Sequence, residues 1–154
     1  YLRCVDALLA AEGVPGAAIL REARGLTEEE KNALLGAFDK RDGRTVLLAV
    51  LGGAFAEGID LAGERLQNVI VVSTGLPQMD ARVRAMRRYH DENGADGAFL
   101  CMTLPGMVRV IQSAGRLIRT QSDHGALLLI DSRYQRGAER ALLSGTLIGD
   151  ALSG

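Results

Sequence analysis

Tryptophan is absent from the 154-residue chain, and three tyrosines and three phenylalanines make up its whole aromatic stock. Base stacking on aromatic platforms is therefore a poor candidate for its main mode of binding. The two cysteines, Cys4 and Cys101, are far apart and lack metal-type spacing. That excludes a disulfide-stapled scaffold and fits two buried, reduced thiols. No apolar run approaches the length of a membrane span; the longest, Val46–Phe55, reaches about half of it. A basic start and an apolar signal core are also missing, so a cytoplasmic location away from membranes is expected. The chain opens Tyr-Leu-Arg-Cys-Val-Asp, without a methionine, as expected of a piece of a longer protein.

A net excess of either charge is lacking too. The net charge is −1, so any nucleic-acid binding must come from a local patch. The positive residues are lopsided, with Lys31 and Lys40 the only lysines against sixteen arginines. Arginine suits planar phosphate contacts, although an Ala-, Gly- and Arg-rich composition is also what a GC-rich genome produces, and a bacterial source is expected. No Gly-Lys dipeptide occurs, which excludes a Walker A loop for a triphosphate. His90 and His124 stand apart from any cysteine or acid pattern, so no metal site is expected. Ser73 and Ser113 lack the context of a nucleophile elbow.

What remains is apolar enough for one real core: hydrophobic residues are 47% of the chain, and its length suits one domain of roughly 100–200 residues. Helix-like and strand-like segments alternate, which predicts an α/β fold with a largely parallel sheet. Leu2–Ala11 reads as a helix and Ala17–Leu20 as a short strand. Thr27 and Glu30 form a capping box that opens a helix to about Phe38. Thr45–Leu51, Asn68–Ser73 and Ala126–Asp131 read as buried strands, short and continuously apolar. Met79–Glu92 reads as a surface helix ending at Asn93-Gly94, and Gly97–Thr103 as a short strand or a loop. Pro105 opens a helix to about Arg119, another runs from about Gln135 to Leu143, and residues 145–154 are expected to fray.

Two segments carry the chemical signal. On the helix from Pro105, Arg109, Gln112, Arg116 and Arg119 fall within an arc of roughly 80°. Val110, Ile111, Ala114, Leu117 and Ile118 take the opposite, core face. A face with three arginines, a glutamine and no acid suits an anion or an acidic partner, although a solvated helix face needs neither. Gly115 costs such a helix about 1 kcal/mol against alanine, which close approach of another backbone or a ligand would justify. The second segment is Gly52–Asp60, where glycines allow a tight turn and a near ligand, and Glu57 and Asp60 add carboxylates at the end of a strand. Gly-rich turns are also common as plain structure. Arg82, Arg84, Arg87 and Arg88 form either a phosphate patch or a solvated face.

Taken in order, Gly53-Ala-Phe-Ala-Glu57-Gly58-Ile59-Asp60-Leu61 resembles motif V of the XPD/DinG-like branch of superfamily-two DNA helicases. Val110-Ile-Gln112-Ser-Ala-Gly115-Arg116-Leu-Ile-Arg119 resembles motif VI, Q-x-x-G-R-x-x-R. Asp123-His-Gly125 and Leu129-Ile-Asp131-Ser-Arg133-Tyr134 are similar to the stretch after motif VI in that branch. The resemblance covers roughly residues 1–143 and implies the second, C-terminal RecA-like motor domain: three layers, with a mainly parallel central sheet flanked by helices. It implies that Arg116 and Arg119 act as arginine fingers and that Gln112 orients the nucleotide or the attacking water. Glu57, Gly58 and Asp60 would couple the nucleotide site to a groove for single-stranded DNA, with Gly53 meeting the strand; Arg84 and Arg88, which the resemblance does not reach, are further candidate DNA contacts from the arginine-rich helix. ATP with Mg2+ would be held mainly by the first RecA-like domain of the same polypeptide, and this chain alone is expected not to hydrolyse it. An iron–sulfur cluster, where the parent has one, would lie outside this chain. The alternatives are a stand-alone phosphate- or nucleotide-binding α/β module and a protein-interaction domain.

Overall fold

The computed structural model describes residues 16–23, 25–38, 43–53, 55, 66–117, 125–135 and 137–146. The helix expected over Leu2–Ala11 and residues 147–154 lie outside them, as does Cys4. The chain divides into two compact units between Val50 and Leu51. Among the described residues no helix is long and apolar enough to cross a membrane.

In the first unit, strand β1 (Ala17–Arg21) pairs in parallel with β2 (Arg44–Leu48), in a register running from Ala17 opposite Arg44 to Arg21 opposite Leu48. The ladder is prolonged by the Glu22 N–H, which donates to the Leu48 carbonyl at 2.9 Å. The Glu22 carboxylate then accepts the Val50 N–H at 2.8 Å. Helix α1 (Glu28–Phe38) crosses between the strands. Its start is the capping box expected from the sequence: Glu30 N–H donates to Thr27 Oγ1 at 3.2 Å, and Thr27 N–H donates back to the Glu30 carboxylate at 2.8 Å. The Thr27 backbone N–H, and then its hydroxyl, hold the Glu30 carboxyl below its usual range. The stabilisation is thus present above the ordinary glutamate range and lost as pH falls through the depressed value.

In the second unit, β3 (Asn68–Val72) pairs in parallel with β4 (Ala126–Ile130), Asn68 opposite Ala126 and Val72 opposite Ile130. A parallel pair needs a long crossover, and here it carries two helices. Helix α2 (Ala81–Glu92) is capped by Asp80, whose carboxylate accepts the Val83 N–H at 2.8 Å. It ends at Asn93-Gly94, with Gly94 at φ +77°.

The segment Gly97–Thr103, expected as strand or loop, is helical. Asp96 accepts the Phe99 N–H at 2.8 Å, and a widened π-helical turn over Phe99–Thr103 runs straight into α3 (Leu104–Ala114). The Leu104 N–H reaches back five residues to the Phe99 carbonyl. Pro105 has no N–H to donate, and the widened turn lets it sit inside a continuing helical run instead of opening one. A Cβ on Gly97 would stand 2.3 Å from the Arg87 carbonyl oxygen, so only glycine lets this run start so close to the end of α2.

The core lies on one face of the β3–β4 pair. Val71, Met107, Val110, Tyr134 and Leu143 are buried together, with Leu51, Val69, Ile111, Leu127, Leu129 and Leu142 around them. Leu143 comes from α4 (Gly137–Thr146), which comes after a 3-10 turn at Ser132–Gln135. The last helix thus starts two residues later than expected and includes Gly145 and Thr146. The expectation that β3 and β4 are wholly buried is corrected: Ile70, Leu128 and Ile130 point the other way and are 61%, 52% and 47% exposed within the described fold. A continuous apolar run looks the same in sequence whether one face or both are covered, because strand side chains simply alternate.

Candidate functional site

Helix α3 carries Arg109 and Gln112, and Arg116 follows in the turn after it. The inner side of α3, Gly106, Met107, Val110 and Ala114, is buried, as expected for Val110 and Ala114. Leu117 is buried as well, and Ile111 only partly. That anchoring fixes the rotation of the helix, so Gln112 faces outward and is exposed.

The α-helix closes at Ala114 and does not run on as helix to Arg119. Gly115 caps it, its N–H donating to the Ile111 carbonyl at 2.8 Å, and a tighter turn over residues 115–117 comes next. Arg116 sits half-buried in that turn, one helical turn beyond Gln112, with Leu117 pinned in the core beside it. Gln112 and Arg116 thus lie four positions apart at the C-terminal end of α3. At Gly115, φ is −64°, open to any residue, and the nearest atoms to a Cβ are α3's own Ile111 and Gln112 carbonyl oxygens, at 3.2 and 3.8 Å, so among the described residues no close approach of another element accounts for the glycine. Arg119, Glu57, Gly58 and Asp60 lie outside the described residues, as do Ile118, Asp123 and His124.

Arg109 shares the helical spacing of Gln112 and Arg116, but its guanidinium is turned onto the backbone of two glycine turns. Nη1 donates to the Gly75 carbonyl at 3.2 Å. A Cβ on Gly52 would stand 3.1 Å from Arg109 Nε, 3.3 Å from Cδ and 3.5 Å from Cζ, so the side chain lies across that residue. The near ligand that glycine permits at Gly52, where φ is +81°, is the protein's own arginine. Gly53 continues the same turn.

Arg84 and Arg88 are on α2, both exposed. Arg84 Nη1 donates to the Met79 carbonyl at 2.9 Å, which ties its side chain back to the helix start. Arg87 pairs with Asp91 at 3.7 Å. Tyr89 meets His90 edge-on, and among the described residues no group of three His, Cys, Asp or Glu is placed to hold a metal.

A cluster at the C-terminal ends of β3 and β4 gives little sign of itself in the sequence. Arg133 grips Asp131 with two donors, Nε to Oδ1 at 2.8 Å and Nη2 to Oδ2 at 2.6 Å, and Nη2 also reaches Ser73 Oγ at 3.2 Å. The Tyr134 hydroxyl donates to the Ser73 carbonyl. Ser73 is held at φ +74°, alone among the described non-glycine residues in the left-handed region. The sequence signal for this latch is the Asp131-Ser-Arg133-Tyr134 run after an apolar strand, but nothing at Ser73 itself announces a positive φ.

Burial, and then the Asp131 charge, push the Tyr134 phenol up to about 12. The folded chain therefore binds that proton more tightly than the unfolded chain. The contribution is complete below the ordinary tyrosine range near 10 and is lost as pH rises to about 12. Tyr134→Phe is expected to cost about 1–2 kcal/mol at neutral pH, through the lost bond to Ser73. It should also remove this alkaline loss of stability. Denaturant titrations of both proteins from neutral to strongly alkaline pH check this, and parallel pH profiles would contradict it.

Comparison with known proteins identifies the family and the fold. The family model described as helicase C-terminal domain matches residues 2–147. A regulator of telomere elongation helicase 1 homologue from Anopheles gambiae is 37% identical over 107 residues, covering 64% of this chain and 11% of the relative. The ATP-dependent DNA helicase DinG of Photobacterium profundum is 33% identical over 93 residues, covering 59% of this chain and 13% of that protein. These relatives come from an animal and a bacterium, so they do not single out the bacterial source expected from composition. The chain thus spans about a tenth of the length of these curated relatives. A solved structure titled XPD helicase superposes with a TM-score of 0.67 at 18% identity, over 94% of this chain and 26% of the other. That likeness shows the fold, an α/β RecA-like domain whose two described strand pairs are both parallel. With nearly its whole length matched, the chain belongs to the helicase C-terminal domain family, of the XPD/DinG type.

Proposed function

We propose that the chain is the second motor domain of an ATP-dependent DNA helicase, working as one unit over residues 1–154 with the first RecA-like domain of the same polypeptide. The observation that supports this reading is the position of Gln112 and Arg116, four residues apart where α3 ends, in a chain whose family is that of helicase C-terminal domains. The donor set fits a triphosphate. A guanidinium and a carboxamide present N–H groups to anionic oxygens, and the sequence lacks the phosphate loop that would hold the nucleotide by itself. ATP with Mg2+, when bound between the two domains, supplies the phosphoryl group whose transfer to water drives the motor.

Arg116 and Arg119 then neutralise the negative charge that grows on the γ-phosphate oxygens, and Gln112 orients the nucleotide or the attacking water. Anchoring of Leu117 in the core holds the Arg116 turn in place, so the guanidinium reaches its position with little reorganisation. Glu57, Gly58 and Asp60 relay the state of that site to a groove for single-stranded DNA, where Gly53, Arg84 and Arg88 meet the strand. The first domain contributes the phosphate loop and the acids for Mg2+, and any iron–sulfur cluster belongs to another part of the parent protein.

Strand displacement tests the reading. The parent protein is expected to unwind a duplex that carries a single-stranded tail, only with Mg2+ and hydrolysable ATP. Equal action on a blunt duplex, or displacement without ATP, would contradict it.

A further inference from the structure

We infer that Arg109 is a positioning residue that ties the motif VI helix to both segments bearing the proposed DNA contacts; this rests on the helicase reading above. Its side chain makes two kinds of contact at once. One guanidinium nitrogen donates to the Gly75 carbonyl at 3.2 Å, while the Nε end lies across Gly52 at 3.1 Å from where a Cβ would be. Both partners are glycines at positive φ, +81° at Gly52 and +61° at Gly75. A side chain at Gly52 would be strained and would also push into Arg109. A Cβ at Gly75 would press at 3.3 Å on both the Gly106 carbonyl oxygen and Leu51 Cδ1. Gly106 is itself confined, since a Cβ there would stand 2.5 Å from the Thr74 carbonyl oxygen. The Gly75 turn and the first half of α3 are therefore in close backbone contact, the Leu51 side chain packs on that turn, and the Arg109 side chain reaches from α3 to both glycines.

The segments that leave each turn give the clamp its consequence. Gly52 leads directly into Gly53 and the motif V segment. Gly75 leads through Leu76-Pro77 to the Asp80 cap and thence to Arg84 and Arg88 on α2. Arg109 is seven positions before Arg116, about 10 Å along the chain's helical rise, so a shift of the nucleotide-facing end of α3 moves both glycine turns with it. The planar guanidinium suits the task because it can lie flat on one backbone while donating to another. A lysine ammonium could donate to the Gly75 carbonyl but could not cover Gly52.

The test uses the full-length parent protein and its Arg109→Ala and Arg109→Lys variants, with an oligothymidine as the single-stranded DNA. In Arg109→Ala, the DNA concentration that half-stimulates ATP turnover is expected to rise about tenfold, with turnover at saturating DNA changed less than about threefold. Arg109→Lys should fall between that variant and the unaltered protein. The salt dependence of DNA binding should keep its slope, whereas loss of a direct phosphate contact lowers it by about one. Thermal unfolding identifies variants that fold.

An unchanged half-stimulating concentration in folded Arg109→Ala overturns the proposal. If that variant does not fold, unaltered stimulation in folded Arg109→Lys does the same. A salt slope lowered by about one also overturns it, by making Arg109 a DNA contact. Absence of any DNA stimulation in the unaltered protein is a separate result, which removes the helicase reading and the proposal with it.

Discussion

Replacing Arg116 by alanine in the parent protein is expected to lower single-stranded-DNA-stimulated ATP turnover by about two or more decades while leaving ATP binding largely intact. The reason lies in charge. A guanidinium facing phosphoryl oxygens contributes little while the nucleotide is merely bound, and much when negative charge concentrates during transfer; such arginines are worth about 10³–10⁵ in rate where this has been measured in GTPases. The loss should therefore appear in kcat, with KM moving less. Arg116→Lys is expected to recover only part of the rate, since an ammonium cannot offer two parallel donors to one phosphate. Steady-state kinetics alongside an equilibrium ATP-binding measurement decides it. Normal turnover in Arg116→Ala would reduce the motif VI resemblance to a basic turn after an ordinary helix.

Met107→Ala should produce the largest change in stability. Met107 is 0% exposed, on the inner face of α3 among Val71, Val110, Tyr134 and Leu143. Truncation removes buried apolar surface and leaves a cavity that two strands and two helices cannot readily close, a loss of about 2–5 kcal/mol. Against the roughly 5–15 kcal/mol that holds a domain together, this approaches unfolding. Met107→Leu keeps the volume and should cost less than about 1.5 kcal/mol. Urea titrations followed by circular dichroism measure both. A midpoint for Met107→Ala equal to that of the unaltered protein would place the residue outside the core.

The contrast between local and distant partners sets how much of the molecule is legible in its sequence. Thr27 and Glu30 announce their reciprocal cap at fixed spacing, and the bonds form as read. The apolar runs at 68–73 and 126–131 hold the strands Asn68–Val72 and Ala126–Ile130, and the burial of Val110, Ala114 and, in the turn beyond, Leu117 follows their helical periodicity. Gln112 and Arg116 can be singled out because the missing acids on their face are a property of composition.

Other features depend on partners distant in sequence. Arg109 shares the spacing of Arg116 but is captured by Gly52 and Gly75, and no local pattern says which turns will come within its reach. Ser73 adopts its left-handed conformation beside Arg133 and Tyr134, sixty residues away along the chain. Helix over Gly97–Thr103, read as a strand or a loop, depends on Asp96 capping it and on Gly97 fitting against the Arg87 carbonyl ten residues earlier.

The most direct test of the central claim is ATP turnover by the parent protein as single-stranded DNA is titrated in. A motor domain that joins a nucleotide site to a DNA groove predicts a rate that rises saturably, by about tenfold or more, over the DNA-free value. A rate indifferent to single-stranded DNA, in a protein that binds both ATP and the strand, would contradict it.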